Sequence, residues 1–154
     1  MKTALALGAL LLASLPLQAF ELVSPEEYNR DLEAPEVFAP PPGATRSLQP
    51  AWPKIEIRNP TGSEARPPVA IEVRFLGDGK SAIDPESFRV YYGMLGIDIT
   101  DRIRKATPIT AEGFSAQGAE LPPGKHSLRM SLADRSGRRT EVQVKFKVLE
   151  PTAN

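Results

Sequence analysis

Cysteine is absent from the chain, which excludes disulfide staples, thiolate metal sites, thiol nucleophiles and a cysteine-linked lipid anchor. Histidine occurs once, at His126, and tryptophan once, at Trp52. A zinc or copper site built on a lone imidazole would have to be completed by carboxylates, a poor donor set for those ions. Net charge is missing too: 19 basic and 19 acidic side chains cancel over 154 residues, whereas a nucleic-acid binder needs a clustered excess of Lys and Arg. No G-x-x-x-x-G-K-[ST], G-x-G-x-x-G or G-x-S-x-G run occurs, so the phosphate-cradling loops and the serine elbow have no sequence support. What is plentiful is proline, 16 residues, alongside a hydrophobic share of 41%. That composition suits one modest globular domain with an extended attachment.

The extended apolar run, Ala4–Leu15, follows Lys2 and is broken by Pro16, and Ala19 is a small residue suited to cleavage before Phe20. The run is shorter than the roughly twenty residues a membrane-spanning helix needs. Residues 1–19 therefore read as a secretory signal peptide. The expected mature chain is exported without a membrane span, periplasmic first and extracellular as the alternative. Charge is divided unevenly along it: residues 20–53 carry six acids against two bases, residues 54–154 thirteen acids against sixteen bases. An acidic arm joins a mildly basic body.

In the arm, Ser24-Pro25-Glu26-Glu27 predicts a helix start, with Ser24 as N-cap, Pro25 at N1 and Glu27 completing a capping box. Tyr28 and Leu32 are four apart and share a face of this short helix, which makes them the candidate docking residues of the arm. Two helical turns are marginal alone in water, so the helix must dock or fray. From Ala34 to Pro53 the prolines at 35, 40, 41, 42, 50 and 53 describe an extended, semi-rigid spacer.

From Lys54 the hydrophobic period becomes two. Ile55 and Ile57, then Val69, Ile71, Val73 and Phe75, then Phe88, Val90 and Tyr92, then Leu128, Met130 and Leu132, then Val142, Val144, Phe146 and Val148 alternate with polar residues. Each run predicts a strand with one buried face. Turn sequences separate them: Asn59-Pro60-Thr61-Gly62, Gly77-Asp78-Gly79, Asp84-Pro85, Pro122-Pro123-Gly124 and Asp134-Arg135-Ser136-Gly137. A short helix is expected at Thr100–Arg104, capped by its Thr. The predicted fold is all-β, an antiparallel β-sandwich of about seven strands over residues 54–150, with the arm at 20–53 and a tail at 151–154.

Residues 54–149 resemble a bacterial Ig-like domain of the cadherin/fibronectin-III sort. The resemblance is carried by Pro60 after the first strand, the strand Val69–Phe75, the turn Leu121-Pro122-Pro123-Gly124 leading into Lys125–Ala133, the Asp134–Gly137 turn, and the final strand Val144–Val148. It implies the fold and is nearly silent on function, since such domains serve adhesion, spacing, sugar contact and accessory roles alike. Tyr91–Asp101 and the arm depart from the generic pattern.

His126 has the parity of Leu128 and Met130, so it is expected inside, making a corner hydrogen bond back to the backbone as a Tyr does in Ig-like folds. Asp78, Asp84, Asp98, Asp101 and Asp134 are too dispersed for a calcium loop and are expected in turns and caps. No catalytic constellation, cofactor or metal is expected. Two surface features remain. The first is the outward row Arg89 and Tyr91, Lys125, Ser127, Arg129 and Ser131, Glu141, Gln143, Lys145 and Lys147, with five bases against one acid, a solvated face or a surface for something anionic, the acidic arm included. The second is Met94 and Leu95 at a hairpin tip, as a lid over the sandwich end or a partner contact. Arg89, Tyr91, Met94, Leu95, Arg129, Lys145 and Lys147 are thus the candidate partner-binding residues. The expected function is a non-catalytic, exported interaction module contacting an envelope or secreted protein. The alternative is a cell-wall glycan-binding module using Tyr91 and Trp52.

Overall fold

The computed structural model describes residues 19–35 and 52–152; residues 1–18 of the expected leader, 36–51 of the spacer and 153–154 of the tail lie outside them. In chain order the elements are β1 (Phe20–Glu21), α1 (Pro25–Leu32), β2 (Lys54–Asn59), β3 (Glu64–Ala65), β4 (Val69–Leu76), β5 (Ile83–Tyr92), β6 (Ile97–Asp98), α2 (Thr100–Ala106), β7 (Gly113–Glu120), β8 (Gly124–Asp134) and β9 (Arg139–Val148). They form two sheets, β1-β7-β4-β2 and β3-β9-β8-β5-β6. This is a β-sandwich with minor helices.

The period-two runs bury the faces their alternation dictates. Val69, Ile71, Val73 and Phe75 of β4 face Phe88, Val90 and Tyr92 of β5 and Leu128, Met130 and Leu132 of β8 in one core. Phe88 links the layers, its ring centroid 5.0 Å from Phe75 and 5.4 Å from Phe114. Burying each such side chain contributes about 1.5–3 kcal/mol before entropy is counted. Asn59-Pro60-Thr61-Gly62 carries the chain from one sheet to the other, so β3 lies parallel to β9 at Lys147 and Val148.

Four details differ from the sequence expectation. β7 (GFSAQGAE) is a central strand of the four-stranded sheet although its glycines and alanines give no alternation of large side chains; Phe114, Ala116 and Ala119 are its buried residues. Gly113 is required where it sits: its φ is 124° and a Cβ would overlap the Val73 carbonyl of β4. Asp84-Pro85 is not a turn but an irregular stretch within β5, where Asp84 Oδ1 accepts the Glu86 N–H at 3.1 Å. Thr100 lies inside α2 rather than at its cap, because its hydroxyl accepts the Val90 N–H at 2.9 Å, while Asp98 Oδ1 accepts the Thr100 N–H at 2.9 Å.

The fourth difference concerns the beginning of the arm. β1 adds to the four-stranded sheet parallel to β7, with Phe20 opposite Ala119 and Glu21 opposite Glu120. The Leu22 N–H donates to the Glu120 carbonyl at 3.1 Å. Leu22 and Val23 are then fully buried in the common core. These residues complete the sandwich and place α1 against its end.

At the opposite end, Arg138 ties two turns together. Its Nη1 lies 2.6 Å from Asp78 Oδ2 and its Nε donates to Asp134 Oδ2 at 2.7 Å. Asp134 Oδ1 also accepts the Ser136 and Arg138 N–H groups, both at 3.0 Å. Burial pushes the Asp134 carboxyl up, but bonds from Ser136 and Arg138 outweigh it and hold the group below its ordinary range.

Candidate functional site

The site begins with the way α1 is held. Ser24 Oγ accepts the Glu27 N–H at 3.2 Å and Glu27 Oε2 accepts the Ser24 N–H at 3.0 Å, the reciprocal capping box read from the sequence. The Glu27 carboxylate also takes the Arg102 guanidinium of α2 in a fork, at 2.7 and 2.6 Å. Arg102 Nη1 further donates to the Leu22 carbonyl at 2.8 Å. Hydrogen bonding from Arg102 is the largest influence on Glu27 and, against opposing burial, lowers its pKa to about 2. At the other end of α1, Asp31 Oδ1 accepts the Leu95 N–H at 2.9 Å, capping the β5–β6 hairpin tip. Gly93, with φ 67°, leaves space for that carboxylate, which a Cβ would overlap.

Between these anchors, Tyr28 covers the buried histidine. Its ring centroid is 5.0 Å from that of His126, and its hydroxyl occupies the space a Cβ at Gly124 would need. His126 Nε2 lies 2.7 Å from the Pro122 carbonyl, which can only accept, so Nε2 carries the proton. Nδ1 therefore accepts the Tyr92 hydroxyl, 2.9 Å away. The corner bond expected of His126 reaches back to Pro122, four residues upstream. Burial is the main influence on the imidazole and lowers its pKa, against the Pro122 bond and the Asp31 charge. Burial likewise pushes the Tyr92 phenol up, with the Asp31 charge adding to it. His126 is 3% exposed and Phe146 stacks on it at 5.8 Å. The ring is a packed joint between β8, β5 and α1, with both nitrogens engaged.

The outward row of the five-stranded sheet lies where parity placed it. Tyr91 faces Arg129, Arg129 faces Gln143, Ser127 faces Lys145, and Lys125 faces Lys147. Ser131, expected at the surface, is buried between Arg89 and Glu141 in the register. The five bases are not equivalent. Arg89 donates to the Glu86 and Phe88 carbonyls at 2.8 and 2.7 Å. Arg129 stands 5.5 Å over the Tyr91 ring and pairs with Glu141 at 3.7 Å. Lys125, Lys145 and Lys147 have no ion-pair partner among the described residues. Lys125 and Lys147 stand directly opposite, an unfavourable pairing of like charges, which Glu64 of β3, on the other side of Lys147, offsets in part.

These lysines, with Ser63 and Glu64 at the β3 edge, line one wall of a groove of about 610 Å³ whose other wall is the end of α1, with Asp31, Leu32 and Ala34, and the half-buried Met94 of the hairpin tip. The tip thus divides: Met94 faces the groove, while Leu95 is 47% exposed. Leu32, expected to dock with Tyr28, is instead 63% exposed. It is the last residue of α1, and the helix is seated through Glu27, Tyr28 and Asp31, leaving Leu32 at the groove rim. Sequence reasoning missed the roles of Glu27, Asp31 and Arg102, whose pairings join residues far apart in the chain; only the capping box marked Glu27 in advance. Trp52 is half-buried with Lys54 Nζ 4.6 Å from its ring. Among the described residues no helix is long and apolar enough to cross a membrane, and no three His, Cys, Asp or Glu converge on one point.

No family model and no curated protein matches this chain. Among solved structures it is similar to CopC from Methylosinus trichosporium, at 14% identity and TM-score 0.38, over 60% of this chain and 89% of that one. It is also similar to an engineered protein, at 16% identity and TM-score 0.42, over 66% of this chain and 21% of that one.

Proposed function

We propose that the protein is an exported, non-catalytic, Ig-like interaction module that holds an acidic envelope or secreted protein against the outer face of its five-stranded sheet. The observation that carries this is the trio Lys125, Lys145 and Lys147 beside Tyr91 and Arg129, three cations on one surface that make no ion pair among the described residues, with Glu64 of β3 opposite Lys147 as their acidic neighbour in the register. The order β2-β4-β7 in one layer against β9-β8-β5 in the other supports the Ig-like assignment. The engagement of both His126 nitrogens supports a binding role over a catalytic one, since a general base must be free to take a proton.

The glycan-binding alternative has less support. Tyr91 lies near the β6 end of the five-stranded sheet, opposite Asp98, whereas Trp52 precedes β2 at the far end of the other sheet, where Lys54 pairs with Leu76. The two aromatics do not form one platform, and each already has a cation over its ring.

The test is capture from envelope extract with the purified protein and its K125E/K145E/K147E variant, at 50 and 500 mM salt. A protein recovered by the native chain at low salt, lost at high salt and lost with the variant supports the proposal, because surface attraction is screened within about 10 Å at 0.1 M. Equal recovery by both proteins overturns it.

A further inference from the structure

A second groove, of about 560 Å³, opens between the start of β1, the β3–β4 and β7–β8 connections and the chain leaving β9. Its volume lies in the roughly 300–1,000 Å³ range of ligand-binding clefts. Six of the residues lining it are prolines, among them the pairs Pro67-Pro68 and Pro122-Pro123. Proline has a ring-fixed φ and no N–H, so these walls are stiff and apolar, and they offer carbonyl acceptors but no donors. Val23 and Leu121 add aliphatic surface from the buried core.

The charged residues of this lining are Glu21, Glu120 and Glu150, all exposed. Glu21 and Glu120 are partners in the β1–β7 register, an unfavourable placement of like charges. None of the three forms an ion pair among the described residues. The neighbouring bases are turned to other tasks. Arg66, beside Pro67, donates to the Thr152 hydroxyl at 3.4 Å, and Lys125 lines the groove on the outer face of the five-stranded sheet. Arg102 and Lys105 share a separate depression with Glu21 on the α2 side, where Arg102 gives its guanidinium to Glu27 and the Leu22 carbonyl. In the expected mature chain the Phe20 ammonium adds one cation beside Glu21. Glu120 and Glu150 are the carboxylates left to the proline groove.

We infer that this groove binds a basic peptide segment in which Lys or Arg side chains flank apolar ones, the apolar residues on the proline walls and the cations on Glu120 and Glu150. Carboxylates and proline carbonyls are all acceptors, so the ligand must bring the donors. The two carboxylates stand at the end of β7 and after the end of β9, which calls for two cations with an apolar body between them. This surface is apart from the lysine row, takes a partner of the opposite charge, and does not depend on the function proposed above.

The probes are acetyl-Arg-Leu-Leu-Arg-amide and acetyl-Glu-Leu-Leu-Glu-amide, titrated into the ¹⁵N-labelled chain beginning at Phe20 and followed by amide NMR. The basic peptide is expected to shift the amides of Val23 and Leu121, and to bind roughly tenfold more weakly to E120Q/E150Q or in high salt, because exposed ion pairs are screened. Acetyl-Arg-Gly-Gly-Arg-amide, which keeps the cations without the apolar body, is also expected to bind roughly tenfold more weakly. The acidic peptide is expected to leave both amides unmoved. Glu120 and Glu150 are exposed, so the double variant keeps the native spectrum away from the groove, which separates loss of binding from loss of fold. No shift with the basic peptide at millimolar concentration, shifts confined to residues outside the groove, or equal binding by the acidic peptide or by E120Q/E150Q overturns the inference.

Discussion

Glu27 of α1 and Arg102 of α2 meet in a two-point fork, Oε1 to Nη2 at 2.6 Å and Oε2 to Nη1 at 2.7 Å, across seventy-five positions of sequence. The same Glu27 oxygen also closes the capping box with Ser24, so one carboxylate both starts the helix and fastens it to the body.

Arg102→Ala is accordingly expected to lower stability by about 1 kcal/mol, the scale for a partly exposed pair with good geometry, as measured by urea denaturation. The effect has a pH signature. The Glu27 pKa is near 2 when folded and about 4.5 in its ordinary state, so its stabilisation is complete above about pH 4.5 and is lost as pH falls toward 2. Glu27→Gln is expected to flatten the stability curve in that window; an unchanged slope between pH 5 and 2 would count against the pairing.

His126 gives a second pH dependence at higher pH. Its folded pKa lies below the ordinary 6.5, so stability is full above about pH 6.5 and declines as pH falls, when the unfolded chain binds a proton the buried ring refuses. Replacing His126 by Phe is expected to remove the part of the slope between pH 7 and 5. Urea midpoints across that range decide the matter.

Tyr92→Phe removes the hydroxyl that Nδ1 of His126 accepts and leaves a buried acceptor unsatisfied, at a cost of about 1–3 kcal/mol. Adding His126→Phe removes the stranded acceptor as well, so the double variant is expected to be less destabilised than the sum of the two singles. Strict additivity would show that the bond does not couple them.

Leu22→Ala is expected to cost about 2–5 kcal/mol, like any deletion of a fully buried aliphatic side chain. If residues before Lys54 were merely an appended arm, the same change would be close to neutral. Thermal unfolding of the purified variant distinguishes the two outcomes.

Gly93→Ala tests the other fastening of α1. Alanine there meets both an unfavourable φ of 67° and the Asp31 carboxylate, so the hairpin tip and the helix must separate. Hydrogen exchange at the Leu95 amide, bonded to Asp31 in the native protein, is expected to accelerate while amides of β4 keep their protection.

The sandwich was legible because large aliphatic residues at every second position leave one face of each strand with nowhere to go but inward, as in Val69–Phe75 and Phe88–Tyr92. The outer row was legible for the same reason, since parity that buries Val90 and Met130 turns Tyr91 and Arg129 outward. β7 was not. Its contribution is the closeness that glycine and alanine allow against β4, and small residues leave no period to read. Leu22 and Val23 were missed because two apolar residues between Glu21 and Ser24 are too short a signal for a core segment. The seat of α1 was half legible: Ser24 and Glu27 announce a helix start, but a carboxylate's distant partner, Arg102 for Glu27 or the Leu95 amide for Asp31, is fixed only by the closed fold.

The pairing of Phe20 with Ala119 also sets an order of events. The first strand of the sandwich finds its neighbour only once most of the polypeptide has been made, so it must wait as a loose end while the local hairpins assemble, because distant contacts form slowly.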